Sequence, residues 1–311
     1  MEGRGNDLKE SIYERLCAVV GEDFVKQKEP MKNHTTFRIG GPADYFVNPQ
    51  NAGQTAGILR LCREEEIPGC IIGNGSNLLV SDDGYRGVII QLYRNMSEIV
   101  AEGTRIRAQA GALLSQIGNR ALELGLTGME FAAGIPGTAG GAVVMNAGAY
   151  GGEMKDILAE VTVLNRDGEI LTIPADRLEL GYRTSIIKKE QYIVLEAVFE
   201  LENGDTSQIR ERMDELKRLR CEKQPLEFPS AGSTFKRPQG YFAGKLIMDA
   251  GLRGYRVGGA MISEKHCGFV VNVQDATARD VQELMEHVRK EVKAQFGVEL
   301  EPEVRFLGEF H

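Results

Sequence analysis

Two clusters of small residues carry the strongest chemical signal in the sequence. One runs Ala132-Ala133-Gly134-Ile135-Pro136-Gly137-Thr138-Ala139-Gly140-Gly141-Ala142 and continues through Asn146-Ala147-Gly148-Ala149-Tyr150-Gly151-Gly152. The other, Gly73-Asn74-Gly75-Ser76-Asn77, lies between the apolar stretches Cys70-Ile71-Ile72 and Leu78-Leu79-Val80. Backbone without bulky side chains lets a large ligand come close, and its N–H groups can point at an anion. Either segment alone also reads as an ordinary turn. Together they point to a large, negatively charged ligand. Neither is a G-x-G-x-x-G entering a helix, and neither is followed by Gly-Lys-Ser/Thr, so a dinucleotide held outside the Rossmann and P-loop frameworks is the expectation.

The elements that must position these loops follow from periodicity and punctuation. Leu8, Ile12, Leu16 and Val19 recur at helical spacing and stop at Gly21, and the stretch from Thr36 to Val47 reads as a turn into a strand. A helix around Ala52–Glu65, the strand and loop at 70–80 and the strand Val88-Ile89-Ile90 complete a small α/β unit. The middle of the chain offers strands at 104–109, 159–165, 169–173 and 192–201, with a helix near 112–124 before the long glycine cluster. A charged helix over Ser207–Arg220 ends in Cys221-Glu222-Lys223-Gln224-Pro225, a boundary. Beyond it stand a loop at 226–238, a helix near 242–250, strands around 257–262 and 268–273, and a helix over 278–296. In that last helix Val281, Leu284, Val288 and Val292 face the core and Gly297 closes it.

With 311 residues, 42% apolar and 26% charged, the chain has a globular composition and room for two or three cores. Its formal net charge of -8 gives no electrostatic reason to hold nucleic acid, so DNA and RNA are excluded as main partners. Cys17, Cys62, Cys70, Cys221 and Cys267 are odd in number and form no C-x-x-C pair. That argues against a disulfide framework and a metal site, and most of them are expected to be buried small hydrophobes. Asp7, Glu10, Glu14 and Arg15 among apolar neighbours make an amphipathic helix rather than a signal peptide, and no apolar run is long enough to span a bilayer. The expected compartment is the cytoplasm, without membrane insertion.

Six segments appear in a fixed order: Thr36-Phe37-Arg38-Ile39-Gly40-Gly41-Pro42-Ala43, Gly73-Asn74-Gly75-Ser76-Asn77-Leu78-Leu79, Gly134-Ile135-Pro136-Gly137-Thr138-Ala139-Gly140-Gly141, Tyr182-Arg183-Thr184-Ser185, Gly232-Ser233-Thr234-Phe235-Lys236-Arg237-Pro238 and Glu301-Pro302-Glu303-Val304-Arg305. The ordered set resembles the UDP-N-acetylenolpyruvoylglucosamine reductase (MurB) family, flavoenzymes of peptidoglycan precursor synthesis, and covers nearly the whole chain from about residue 34 onward. The resemblance implies an α+β fold with an FAD-binding module of the vanillyl-alcohol-oxidase (PCMH) type in two subdomains, 1–95 and 96–220, and a substrate-binding domain at 221–303. The FAD module overall spans 35–200, and 304–311 is a candidate to return to the first subdomain.

By the same resemblance Gly73, Asn74, Gly75, Ser76 and Asn77 cradle the FAD pyrophosphate from one side. Gly134, Ile135, Pro136, Gly137, Thr138, Gly140, Gly141, Asn146 and Gly148 do so from the other. Oxidases of that superfamily often tether the flavin through a histidine or cysteine. Neither glycine loop contains one, and the histidines are His34, His266, His287 and His311, so non-covalent FAD held largely by backbone amides is implied.

The implied substrate, UDP-N-acetylglucosamine enolpyruvate, sets the chemistry. Hydride added to its methylene carbon pushes charge onto the neighbouring carbon and the carboxylate, so a catalyst must stabilise an enediolate and protonate the α carbon. The resemblance gives Arg183 the role of cation, Ser233 that of proton donor and Glu303 that of hydrogen-bonding acid, with NADPH as hydride donor. Glu303 is matched rather than Glu301 because it directly precedes Val304-Arg305. Outside the motif context Arg183 reads as a surface arginine and Gly232-Ser233-Thr234 as a turn. The alternation at 303–306 would send Val304 and Phe306 inward and leave Glu303 and Arg305 on the other face, which also describes a solvated edge strand. Tyr182, Lys223 and Arg237 are the candidates for substrate binding; Lys223 and Arg237 match less strictly and read equally as solvated. The short interval from Arg183 to Ser233 resembles the subclass lacking a tyrosine-bearing loop, which leaves another residue to cover the substrate diphosphate.

Two other functions stay open on the sequence. An FAD-dependent oxidase using oxygen would share the flavin module, and NADPH consumption against oxygen uptake separates it. A non-catalytic UDP-sugar-binding flavoprotein is the other, and a flavin spectrum of the purified protein excludes a module that has lost FAD.

Overall fold

The computed structural model describes residues 11–311; Leu8, Asp7 and Glu10 of the expected first helix lie outside the described residues. That helix, α1 (Ile12–Val20), opens on a capping box in which Ser11 Oγ accepts from the Glu14 N–H and the Glu14 carboxylate accepts from the Ser11 N–H. Gly21, at φ 92, ends it. Beside it lie α2 (Ala52–Glu64), capped by Asn51, and a mixed four-stranded sheet ordered Val25–Pro30, Pro42–Val47, Tyr85–Gln91, Gly69–Ile72. Strand Val25–Pro30 carries no alternation in its sequence because only Val25 is buried and the rest is a charged edge.

An antiparallel five-stranded sheet follows, ordered Ile170–Pro174, Leu158–Leu164, Ile193–Glu200, Arg105–Gln109, Ile99–Glu102. Against it pack α3 (Leu114–Glu123) and α4 (Ala139–Val144). The second glycine cluster runs into the short helix α4 without the dinucleotide fingerprint, in keeping with the sequence reading. Gly140 permits this: a Cβ there would stand 2.9 Å from Ala110 Cβ, closer than carbon atoms pack. One apolar cluster runs through both sheets, from Leu16 and Ile58 to Val161 and Phe199.

After α5 (Ile186–Glu190), α6 (Thr206–Lys223) extends past the expected end at Arg220. Nothing stops it before Pro225, which forces Gln224 into extended backbone at ψ 148. In the last unit α7 (Ala243–Asp249) and α8 (Ala278–Phe296) cover a three-stranded sheet. The stretch at 257–262 splits into strands Arg256–Val257 and Ala260–Ile262, turned by Gly258 at φ 51. The ends of α8 are set by a Thr277/Asp280 capping box and by Gly297 at φ 69. Val281, Leu284, Val288 and Val292 are all buried in a second core, which takes in Phe37, Ile39 and Leu79 from the first unit. Asp82 accepts from the N–H groups of Ala278 and Arg279 at 2.8 and 3.1 Å and fastens that unit to the start of α8.

The chain ends with strand Arg305–Leu307 running parallel to Leu78–Val80. Val304 is buried, but Phe306 is 40% exposed and meets Phe310 edge-on, so the alternation expected at 303–306 fails there. The strand begins only at Arg305, and Glu303 and Val304 instead hydrogen-bond to Thr234. The cysteines also differ from expectation: Cys62 and Cys267 are buried, Cys17 and Cys70 are half-buried, and Cys221 is exposed because it lies on the polar surface of α6. Among the described residues no helix is long and apolar enough to cross a membrane, and no cluster of three His, Cys, Asp or Glu could hold a metal.

Candidate active site

Arg183 and Glu303, 120 positions apart, meet in space: Arg183 Nε donates to Glu303 Oε1 at 2.5 Å. Arg183 projects from a turn closed by two backbone bonds, Gly181 N–H to Thr184 O at 3.1 Å and Thr184 N–H to Gly181 O at 3.3 Å. It occupies the third position of that turn at φ 56, a place that favours glycine or asparagine. A left-handed non-glycine residue costs roughly 1–3 kcal/mol and persists only where surrounding structure fixes it.

Glu303 is fixed as firmly from the other side. Its N–H donates to Thr234 O at 2.8 Å, and its C=O accepts from Asn77 Nδ2 at 3.2 Å. Arg305 N–H returns to Asn77 O at 3.0 Å, so Glu303 is strapped between the serine loop and the first glycine loop. Burial pushes its carboxyl above the usual carboxylate range, and the charge and hydrogen bond of Arg183 pull the other way without overcoming it. Glu301 is exposed and pairs with Lys236 at 2.8 Å.

Ser233 is half-buried between Gly232, at φ 77, and Thr234. Thr234 is fully anchored, donating its N–H to Gly268 O and accepting the Val270 N–H at 2.9 Å on Oγ1. The Ser233 hydroxyl makes no hydrogen bond among the described residues. Tyr182 ties the arginine turn to the same loop: it is 56% exposed, and its phenol oxygen accepts from the Arg237 N–H at 3.0 Å. The Arg237 guanidinium lies 3.9 Å from the centre of the Phe242 ring. Lys223 is not brought into this set; it is exposed on the last residue of α6 and makes no ion pair among the described residues.

The two glycine loops face each other. Asn74 Nδ2 donates to Pro136 O at 2.8 Å, and a Cβ on Gly73 would lie 2.3 Å from Thr138 Oγ1. Side chains are excluded by the protein itself at Gly75, where a Cβ would stand 2.1 Å from His34 O, and at Gly148, 2.7 Å from Gly152 O. Gly137 and Gly141 differ, since a Cβ there would meet only ordinary contacts at 3.8 and 3.6 Å. They leave bare backbone, half-buried at Gly137 and exposed at Gly141, with Ser76 beside Gly137, Ile135 half-buried and Pro136 exposed. Thr138 Oγ1 is buried without a hydrogen-bond partner. An orphaned hydroxyl beside bare peptide groups suits the oxygens of a dinucleotide diphosphate.

Arg220 supplies a cation that sequence reasoning missed. Its Nη1 lies 3.3 Å from where a Gly134 Cβ would be, and burial lowers its pKa while nearby Tyr150 raises it. Nothing in the charged pattern of α6 separates Arg220 from Arg212 or Arg218, which bond to glutamates of the same helix.

Comparison with known proteins gives the family. Residues 43–174 match the FAD binding domain model, and residues 224–307 match that of the UDP-N-acetylenolpyruvoylglucosamine reductase C-terminal domain. A UDP-N-acetylenolpyruvoylglucosamine reductase of Lachnoclostridium phytofermentans is 53% identical over 302 residues, 96% of this chain and 97% of that protein. The chain belongs to the UDP-N-acetylenolpyruvoylglucosamine reductase family. Another member, from Geobacillus thermodenitrificans, is 53% identical over 96% of this chain and 98% of its own length. The crystal structure of the Thermus caldophilus enzyme of this family (MurB) superposes with a TM-score of 0.79 at 36% identity, covering 91% of this chain and 100% of that one. The α+β class with an FAD-binding module, expected from the sequence, stands on these matches.

Proposed function

We propose that the chain reduces UDP-N-acetylglucosamine enolpyruvate to UDP-N-acetylmuramate at the expense of NADPH, in the cytoplasm, within peptidoglycan precursor synthesis. The observation that carries this reading is the Arg183–Glu303 pair, 21% and 11% exposed, held beside the Ser233 loop in a chain of this family. Bare backbone at Gly134, Gly137 and Gly141, the Thr138 hydroxyl and Arg220 would hold FAD through its diphosphate. When bound, FAD supplies hydride transfer, from NADPH to the substrate methylene carbon.

The protein's own groups handle the charge that follows. As the methylene carbon gains hydride, the electron pair of the double bond moves onto the α carbon and into the carboxylate. Arg183 offers a planar guanidinium to that enediolate. Glu303 donates a hydrogen bond to the same oxygens, because burial already favours its protonated form and the arriving substrate carboxylate favours it further. Ser233 gives its proton to the α carbon and recovers one from solvent, so one NADPH and one proton are consumed per lactyl ether formed. A serine hydroxyl is a weak acid, and it serves here because the enediolate is a strong base.

Anaerobic addition of NADPH should bleach the flavin absorbance, and subsequent addition of UDP-N-acetylglucosamine enolpyruvate should restore it; absorbance that stays bleached defeats the assignment. The cofactor is expected to be non-covalent, since the glycine loops contain neither histidine nor cysteine. Acid precipitation should release the flavin into the supernatant, whereas yellow pellets would show a covalent link.

A further inference from the structure

The end of the second glycine cluster is wired to the turn that carries Arg183. Asn146 is 1% exposed and takes φ 41, a left-handed backbone. Its carboxamide is fully engaged within the protein. Oδ1 accepts from the Lys155 N–H at 2.9 Å, and Nδ2 donates to Glu153 Oε2 at 2.5 Å and to Gly181 O at 3.2 Å. Both donors of the amide are used, which leaves its side chain no donor for a cofactor. The bond to Gly181 ends on the residue that opens the arginine turn. On the far side of that turn, Ser185 Oγ donates to Val144 O at 2.8 Å, at the last residue of α4. The strained Arg183 backbone is thus latched at both flanks to the helix that leaves the cofactor-facing glycines.

We propose that Asn146 is a positioning residue for substrate reduction: through Gly181 it holds the 181–184 turn against the end of α4 and so sets Arg183 in register with Glu303. This rests on the reaction proposed above. Asn146 touches neither Arg183 nor Glu303 through its side-chain bonds and acts through backbone alone.

Two substitutions in the FAD-loaded protein test it. Asn146→Ala removes the amide and forces an alanine into left-handed backbone; Asn146→Gly removes the amide but accepts that backbone freely, so it decides the matter even if the alanine variant fails to fold. The glycine variant should keep its FAD content and flavin spectrum and be reduced by NADPH at the wild-type rate. Its reoxidation by UDP-N-acetylglucosamine enolpyruvate should slow on the order of 10–100-fold, with kcat falling more than KM changes, as expected for a misplaced reacting geometry. In an Arg183→Ala background the same change should cost no more than about twofold, since the group it positions is gone. Wild-type reoxidation, equal slowing of both half-reactions, loss of FAD, or losses that multiply with Arg183→Ala would each overturn the proposal. A wild-type protein that substrate fails to reoxidise would instead defeat the reaction assignment.

Discussion

Ser233→Ala should leave reduction of the flavin by NADPH near the wild-type rate and slow reoxidation by UDP-N-acetylglucosamine enolpyruvate by on the order of 10²–10⁴-fold or more, the usual contribution of a positioned proton donor. The half-reactions separate because protonation of the α carbon belongs only to the second. Thr234 cannot take over, because it is buried with its hydroxyl turned to the Val270 N–H. The Ser233 hydroxyl, by contrast, makes no bond among the described residues and sits next to Gly232, where even a Cβ would meet nothing within 4 Å. Stopped-flow absorbance under anaerobic conditions resolves the two steps. Reoxidation at the wild-type rate would remove Ser233 from its role and leave its loop as a structural turn.

How much was legible beforehand depended on whether the signal was local. Helix α8 is read correctly at both ends because Thr277, Asp280 and Gly297 carry its start and stop in the sequence itself. The edge strand Val25–Pro30 is not, since a charged edge needs no alternating burial. Both glycine clusters are visible as loops, but which glycine faces protein and which faces open space is decided by distant partners. Gly140 is glycine because of Ala110, and Gly75 because of the His34 carbonyl. Arg183, Ser233 and Glu303 enter through the resemblance, as no spacing rule brings Glu303 across 120 positions onto Arg183. Asn146 is legible as part of the glycine cluster, yet its amide is consumed by Gly181, Glu153 and Lys155, contacts that only the folded chain assembles.

Arg183→Lys and Glu303→Gln should each lower turnover while sparing FAD binding, because in the proposed reaction both groups act on one developing charge. Stabilisation of such a charge is worth roughly 3–4 kcal/mol per donor. Lysine keeps the cation but not the planar two-pronged contact, so the conservative change remains costly. Glutamine keeps a hydrogen-bond donor, so Glu303→Gln should be milder than Glu303→Ala. With a shared target, the double mutant should lose less than the sum of the singles. The pH dependence gives an independent check of the same pair. Burial raises the Glu303 pKa and Arg183 opposes the rise, so the protonated, donating form is present at low pH and is lost as pH climbs through that raised value. Reoxidation by substrate should therefore fall on the alkaline side. Arg183→Ala, which removes the opposing cation, should move that fall to higher pH, and Glu303→Gln should abolish it. Strictly additive losses, or a Glu303→Ala enzyme whose reoxidation and alkaline limb match wild type, would show that the 2.5 Å pair serves only to hold the chain end in place.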